Sequence, residues 1–206
     1  MYADLSRAAL ITSECQNGVI GPGAALPQLA EAAATSVIPN GAKLCAAARA
    51  AGVPVLHCTA GRRPDGRGSN MNARLFMAMR KAPQPIQLGA DSTQVVAEFD
   101  VQPEDFVLSR MHGLSPMAGT DLDPILRNLD VKALVIAGVS VNVAIPNLVM
   151  DAINLGYQVV LPRDAVAGVP PSYAEQVLDN TLALLAEIVT TDDVLAEWSG
   201  ISPTAE

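Results

Sequence analysis

Aromatic residues make up only 3% of this 206-residue chain: three Phe, three Tyr and one Trp. A core must therefore be built from Ala, Val, Leu and Ile, within a hydrophobic content of 50%. Charge is also scarce, at 17%, and its balance is acidic, with a net charge of -8. Such a surface has no general attraction for nucleic acid or an anionic membrane, so neither is expected as a partner. The three cysteines, Cys15, Cys45 and Cys58, form neither an even disulfide set nor a metal-ligand spacing. Reduced thiols in a cytoplasmic setting are the expectation. Every apolar run is cut by charge, Gly or Pro well short of the ~18 residues a membrane-spanning helix needs. The opening MYADLSRAALITSECQNG has no basic region before a long apolar segment, and reads as a first strand and not as a signal peptide.

What is present is enough for one sizeable domain over residues 1–206. Four short apolar runs read as buried strands: AALIT (8–12), VPVLHC (53–58), ALVIAGV (133–139) and YQVVLP (157–162). DFVLSR (105–110) and EIVTT (187–191) are the fifth and sixth. Each is too short for a helix and is bounded by Gly, Pro or a polar cluster. Between them lie segments with helical spacing. AEAAATSVIPNGAKLCAAARAAG closes on Gly52, and TDLDPILRNLD carries Pro124 in its first turn, where a missing N–H costs little. NLVMDAINLG and SYAEQVLDNTLALLAE complete the set. Alternating strands and helices, with the strands apolar on both faces, predict an α/β doubly wound fold: a mainly parallel six-stranded sheet with helices on both faces. The stretch 59–104 is expected to be a long irregular insertion, a lid or binding loop.

In such a sheet ligands bind beyond the carboxyl ends of the strands. The polar residues just after each strand therefore mark a site without any motif. They are Glu14, Cys15, Gln16 and Asn17; His57, Cys58, Arg62 and Arg63; Arg110 and His112; Ser140 and Asn142; Arg163 and Asp164. Alternation along a strand turns Cys15 to the core if Glu14 faces the crevice. The arginines Arg62, Arg63, Arg67 and Arg74 form a local basic cluster, suited to a small anion such as a carboxylate or to salt bridges with a second subunit.

The order of motifs resembles the isochorismatase-like (cysteine hydrolase) superfamily. ALITSECQNGVIG is similar to the family's opening, an apolar strand running into Asp-Met-Gln-Asn. HGLSPMAGTDLDPILRNLDVKALVIAGVSVNVAIPNLVMDAINLGYQVVLPRDAVAG matches its second half, with the Gly-Thr-x-Leu helix start, the GV-x-x-N turn, the DA-x-x-x-GY helix and the strand into RDA. The resemblance covers about residues 8–190. It implies a homo-oligomer, a dimer or tetramer, and a cis peptide at Val139–Ser140. It also implies a triad of Asp, Lys and Cys, in which the thiol attacks a carbonyl carbon. Carried over, the Asp falls on Glu14, the Lys on Arg110 or its rival Met111, and the Cys on Ala144. All three identities differ, and alanine cannot be a nucleophile. Some relatives bind a metal through His and Asp after the second strand. Here LHCTAGRRPDGR offers His57 and Asp65 with no third clear ligand, so neither metal nor cofactor is expected.

Three functions follow from these residues. The first is a hydrolase of a small carboxylate-bearing metabolite without a cysteine nucleophile. In it Glu14 or His112 activates water, Arg110 clamps an anion, and Gln16, Arg62, Arg63, Ser140 and Asn142 contact substrate. The turn's backbone N–H groups supply an oxyanion pocket. The second is cleavage of a vinyl ether protonated by Glu14. The third is a pseudoenzyme that binds a small ligand or partner and catalyses nothing.

Overall fold

Alternate side chains along the strands enter two separate cores, which is what fixes the layers. The computed structural model describes residues 3–201. The first strand, β1 (Ala8–Ser13), is buried throughout. Leu10 packs on one side with Leu29, Leu44 and Trp198, while Ala9 and Ile11 pack on the other with Leu126, Leu148 and Leu178. The helices behind those residues are α2 (Pro27–Thr35), α3 (Val37–Ala50) and α8 (Thr191–Ser199) on the first face. On the second lie α5 (Leu122–Asn128), α6 (Ala144–Asn154) and α7 (Pro171–Asn180).

The remaining strands are β2 (Val55–Ala60), β3 (Phe106–Arg110), β4 (Ala133–Val139), β5 (Gln158–Pro162), β6 (Val166–Ala167) and β7 (Glu187–Val189). The path β3-β2-β1-β4-β5-β7 is parallel at every pairing, and β6 adds two residues beside β4. All six expected strands are present, with ends moved by up to two residues. The seventh, Val166–Ala167, is too short to leave a pattern in the sequence. Order reverses between β1 and β4, and this switch point opens the crevice at their carboxyl ends.

Two elements differ from their expected form. The long helix predicted up to Gly52 is broken at Ser36 into α2 and α3. Pro39 is the cause: it has no N–H for the Thr35 carbonyl four residues back, and its ring would clash there. Gly52 follows α3 with φ +70° and its N–H donates to the Arg49 carbonyl, the left-handed helix ending it was expected to provide. The stretch 59–104 is not wholly irregular. It carries α4 (Arg74–Arg80) and two 3-10 turns, Asp91–Thr93 and Ala97–Phe99. A further short helix, α1 (Asn17–Ile20), follows β1 directly. Among the described residues no helix is long and apolar enough to cross a membrane.

Candidate active site

A cavity of about 640 Å³ opens beyond the carboxyl ends of β1, β2, β3 and β4. Glu14, Arg110, Ser140, Asn142 and Ala144 meet there, with His112 and Arg62 also on its wall. The size falls within the ~300–1,000 Å³ usual for small-molecule sites.

Glu14 owes its position to a turn. The strand ends at Ser13, and Glu14 takes φ +55°, a left-handed conformation that bulky residues rarely adopt. Its N–H donates to the Cys58 carbonyl and its own carbonyl accepts from the Gln16 N–H, which together hold the strained residue in place. The carboxylate is ion-paired with the Arg110 guanidinium. Cys15, next along, is buried in the first core as expected, through the turn at Glu14 and not through strand alternation.

Arg110 closes β3, and its side chain is 2% exposed. Nη2 donates to Glu14 and, at 3.2 Å, to the Leu114 carbonyl, while Nε and Nη1 have no partner among the described residues. Buried donors left unmade are costly, so this guanidinium carries unmet hydrogen-bonding capacity beside the cavity. Met111 is 42% exposed and follows the strand, so Arg110 and not Met111 stands beside Glu14. His112 is exposed on the cavity wall and makes no hydrogen bond to a described residue; its ring packs against Gly119, where a Cβ would lie 2.6 Å from Cε1.

The turn after β4 supplies the fourth side. Val139–Ser140 is a cis peptide. The N–H groups of Val143 and Ile145 both turn back to the Ser140 carbonyl. Those of Asn142 and Ala144 have no backbone acceptor among the described residues, and both residues line the cavity. Ala144 is the first residue of α6, so its methyl sits at a helix N-terminus, where the dipole favours negative charge.

Other residues expected at the site are used elsewhere. Gln16 is fully buried: its Nε2 donates to the Ala60 and Ser92 carbonyls and its Oε1 accepts from the Ala60 N–H. It is a brace between the ends of β1 and β2 and the loop at Ser92, and does not line the cavity. Asn142 does line it, yet its amide bonds both backbone groups of Val169, at 2.6 and 2.8 Å. Arg63 points away and chelates Asp65, whose carboxyl it holds down at about 2. Arg163 reaches Glu175 and Asp179 on α7, and Asp164 accepts from Thr191 at the start of α8. Missed from the sequence were Arg80 and the apolar inner face of α4, whose signal was the run LFMAM between two arginines.

Residues 8–193 match the family model described as the isochorismatase domain. The chain belongs to the isochorismatase family. Among curated relatives, a ureidoacrylate amidohydrolase RutB of Pseudomonas savastanoi pv. phaseolicola is 32% identical over 177 residues, spanning 80% of this chain and 72% of that protein. An isochorismatase family protein of Desulfovibrio vulgaris is 29% identical, with a TM-score of 0.79 over 92% of this chain and 98% of that one. A pyrazinamidase of Pyrococcus horikoshii, solved in complex with zinc, is 25% identical over 89% of this chain and 99% of that one, with a TM-score of 0.73. The donors here do not fit such a metal. His57 is buried and engaged by Thr12 and Asp105, and Asp65 is held by Arg63 at the surface. No group of three His, Cys, Asp or Glu among the described residues is placed to hold an ion.

Proposed function

We propose that this isochorismatase-family chain hydrolyses a small carboxylate-bearing amide or ester with water in place of the cysteine nucleophile. The observation that carries this reading is the Glu14–Arg110 pair on the wall of a cavity that Ala144 also lines, with no backbone acceptor among the described residues for the Asn142 and Ala144 N–H groups. Glu14 takes a proton from water as the water oxygen adds to the carbonyl carbon. These two N–H groups donate hydrogen bonds to the developing oxyanion, for which they need no reorganisation. The tetrahedral intermediate then collapses, the C–N or C–O bond breaks, and the proton passes from Glu14 to the leaving atom. Arg110 fixes the carboxylate of Glu14 and offers its two unpartnered nitrogens to water or to the substrate's anion. His112, on the same wall, is the second proton carrier within the cavity.

The test is a panel of primary amides, esters and an isochorismate-like vinyl ether. Turnover of an amide or ester, with kcat falling roughly 10²–10⁴-fold in Glu14→Gln, supports the reading. Unchanged turnover in that variant removes Glu14 from the chemistry, and cleavage of the vinyl ether alone moves the reaction to protonation by Glu14. One observation favours a binding protein instead: the positions where the resemblance puts the triad hold Glu14, Arg110 and Ala144, and the first two are already ion-paired with each other. Under that reading no substrate turns over, a ligand raises the melting temperature, and Arg110→Ala abolishes the rise.

A further inference from the structure

Half of the cavity wall has no role in the chemistry proposed above. Leu75, Phe76 and Met79 of α4 face inward, joined by Met71 before the helix and by Leu26 and Ile86 across the opening. No residue of α4 is buried, and Leu75 and Met71 remain 40% and 42% exposed. An apolar helix face is normally covered by a core, whereas this one covers a void. That void is large for a compact metabolite. At about 30 Å³ per water, 640 Å³ is room for about twenty waters, which a substrate with a handful of heavy atoms would leave mostly wet.

The charge around this apolar wall is mainly positive, and the carboxylates on the cavity, Glu14 and Asp65, are paired with Arg110 and Arg63. Residues 62–81 hold six basic side chains and one acidic, on a chain whose net charge is -8. Arg62, Arg67 and Arg80 line the cavity, and none pairs with a carboxylate among the described residues. Arg62 Nη2 lies 3.3 Å from the Arg80 carbonyl, which brings two of the three together at the C-terminal end of α4. Exposed guanidinium groups gathered beside an apolar surface suit a ligand that is itself apolar along its length and anionic at one end.

We infer that the substrate is an amphiphile: a reacting carbonyl at Glu14 and Ala144, an apolar arm along the inner face of α4, and an anionic end met by Arg62, Arg67 and Arg80. The position of the carbonyl rests on the hydrolase reading; the arm and the anion do not. Two series separate them. The first is a set of ω-carbamoyl carboxylates, from succinamate to suberamate, assayed for ammonia release. The second is the n-alkanoates from butyrate to decanoate, which cannot react, measured by calorimetry. Each added methylene raises kcat/KM in the first and tightens Kd in the second by about fourfold, until the cavity is full. Leu75→Asn with Phe76→Ala flattens that dependence. Arg67→Gln with Arg80→Gln weakens all members by a common factor and leaves the dependence intact.

Because α4 contributes nothing to the core, these variants should keep the parental melting temperature, which is checked first. Turnover or binding that is indifferent to chain length overturns the inference while leaving the hydrolase reading standing. A chain-length dependence in binding with no ammonia released from any amide does the reverse. Should Leu75→Asn with Phe76→Ala split an oligomer in sedimentation and keep the dependence, the α4 face belongs to a second copy of the chain, and the inference falls.

Discussion

Ala144 puts a methyl group where the family resemblance places a thiol, and the rest of the chain has no thiol to replace it. Burial raises Cys15 well above its usual value and pushes Cys45 and Cys58 up to about 12, so all three are held as unreactive thiols. The native protein should therefore react slowly with an aromatic disulfide reagent, and Ala144→Cys should add a single fast thiol at the start of α6. Slow reaction of that variant would show that the cavity does not admit reagents to this position. Glu14 and Arg110 make a second prediction. Removing one partner of a buried ion pair leaves the other charge unsatisfied, so Glu14→Gln is expected to cost about 3 kcal/mol in urea unfolding, toward the low end because Glu14 is 21% exposed. Adding Arg110→Met should recover most of the loss. At this scale the sequence was only partly legible. Ala144 came from the family resemblance, whereas position after a strand drew Glu14, Arg110 and Ser140 to one sheet edge, where they line a common cavity, because topology alone decides where strand ends lie. It misplaced Arg163 and Asp164, which bind neighbouring helices, and gave Gln16 a substrate although backbone groups take both ends of its amide.

Elements were more legible where both faces are buried. ALVIAGV reads as a strand from its composition and is one over the full run Ala133–Val139. The break at Ser36 was missed although its cause, Pro39, stands in the sequence, because the apolar spacing continues through it. The helix α4 was missed for a different reason: its apolar residues face a cavity and not a core, so burial imposes no helical period on them. Close packing makes α3 sensitive at one point. A Cβ on Gly41 would lie 2.4 Å from Phe99 Cζ, so Gly41→Ala gains about 1 kcal/mol in helix propensity and loses about 1–3 to overpacking. A net loss of stability is expected in denaturant titration, and a gain would mean that Phe99 moves aside freely.

At the scale of the whole molecule, a buried polar network ties α3 and the loop before β3 to the sheet. His57 on β2 has Nδ1 2.8 Å from Thr12 Oγ1 on β1 and Nε2 3.4 Å from Asp105 Oδ2. Asp105 in turn accepts from Arg49 of α3 at 2.7 Å and from the Gln102 N–H. Burial draws His57 below its usual 6.5, outweighing the attraction of Asp105. Asp105 is raised by its own burial, yet the Arg49 and Gln102 hydrogen bonds bring it below 3.8. Below its ordinary value each group takes up protons more readily in the unfolded chain, so both contribute stability that is lost as pH falls. His57 acts first, below pH 6.5, and Asp105 only below 3.8. Urea midpoints should decline from pH 7 to 5, and His57→Gln should remove that decline; an unchanged slope would assign it to other groups. The Glu14–Arg110 pair has a consequence in time as well as in energy. Its partners stand 96 residues apart, with β2 and α4 between them, and Ala144 comes later still. The candidate site is thus assembled from distant parts of the chain, and such contacts form slowly. Trp198 shares a core with Leu10 and Leu44 across longer spans still, so recovered tryptophan fluorescence should not precede recovery of the site.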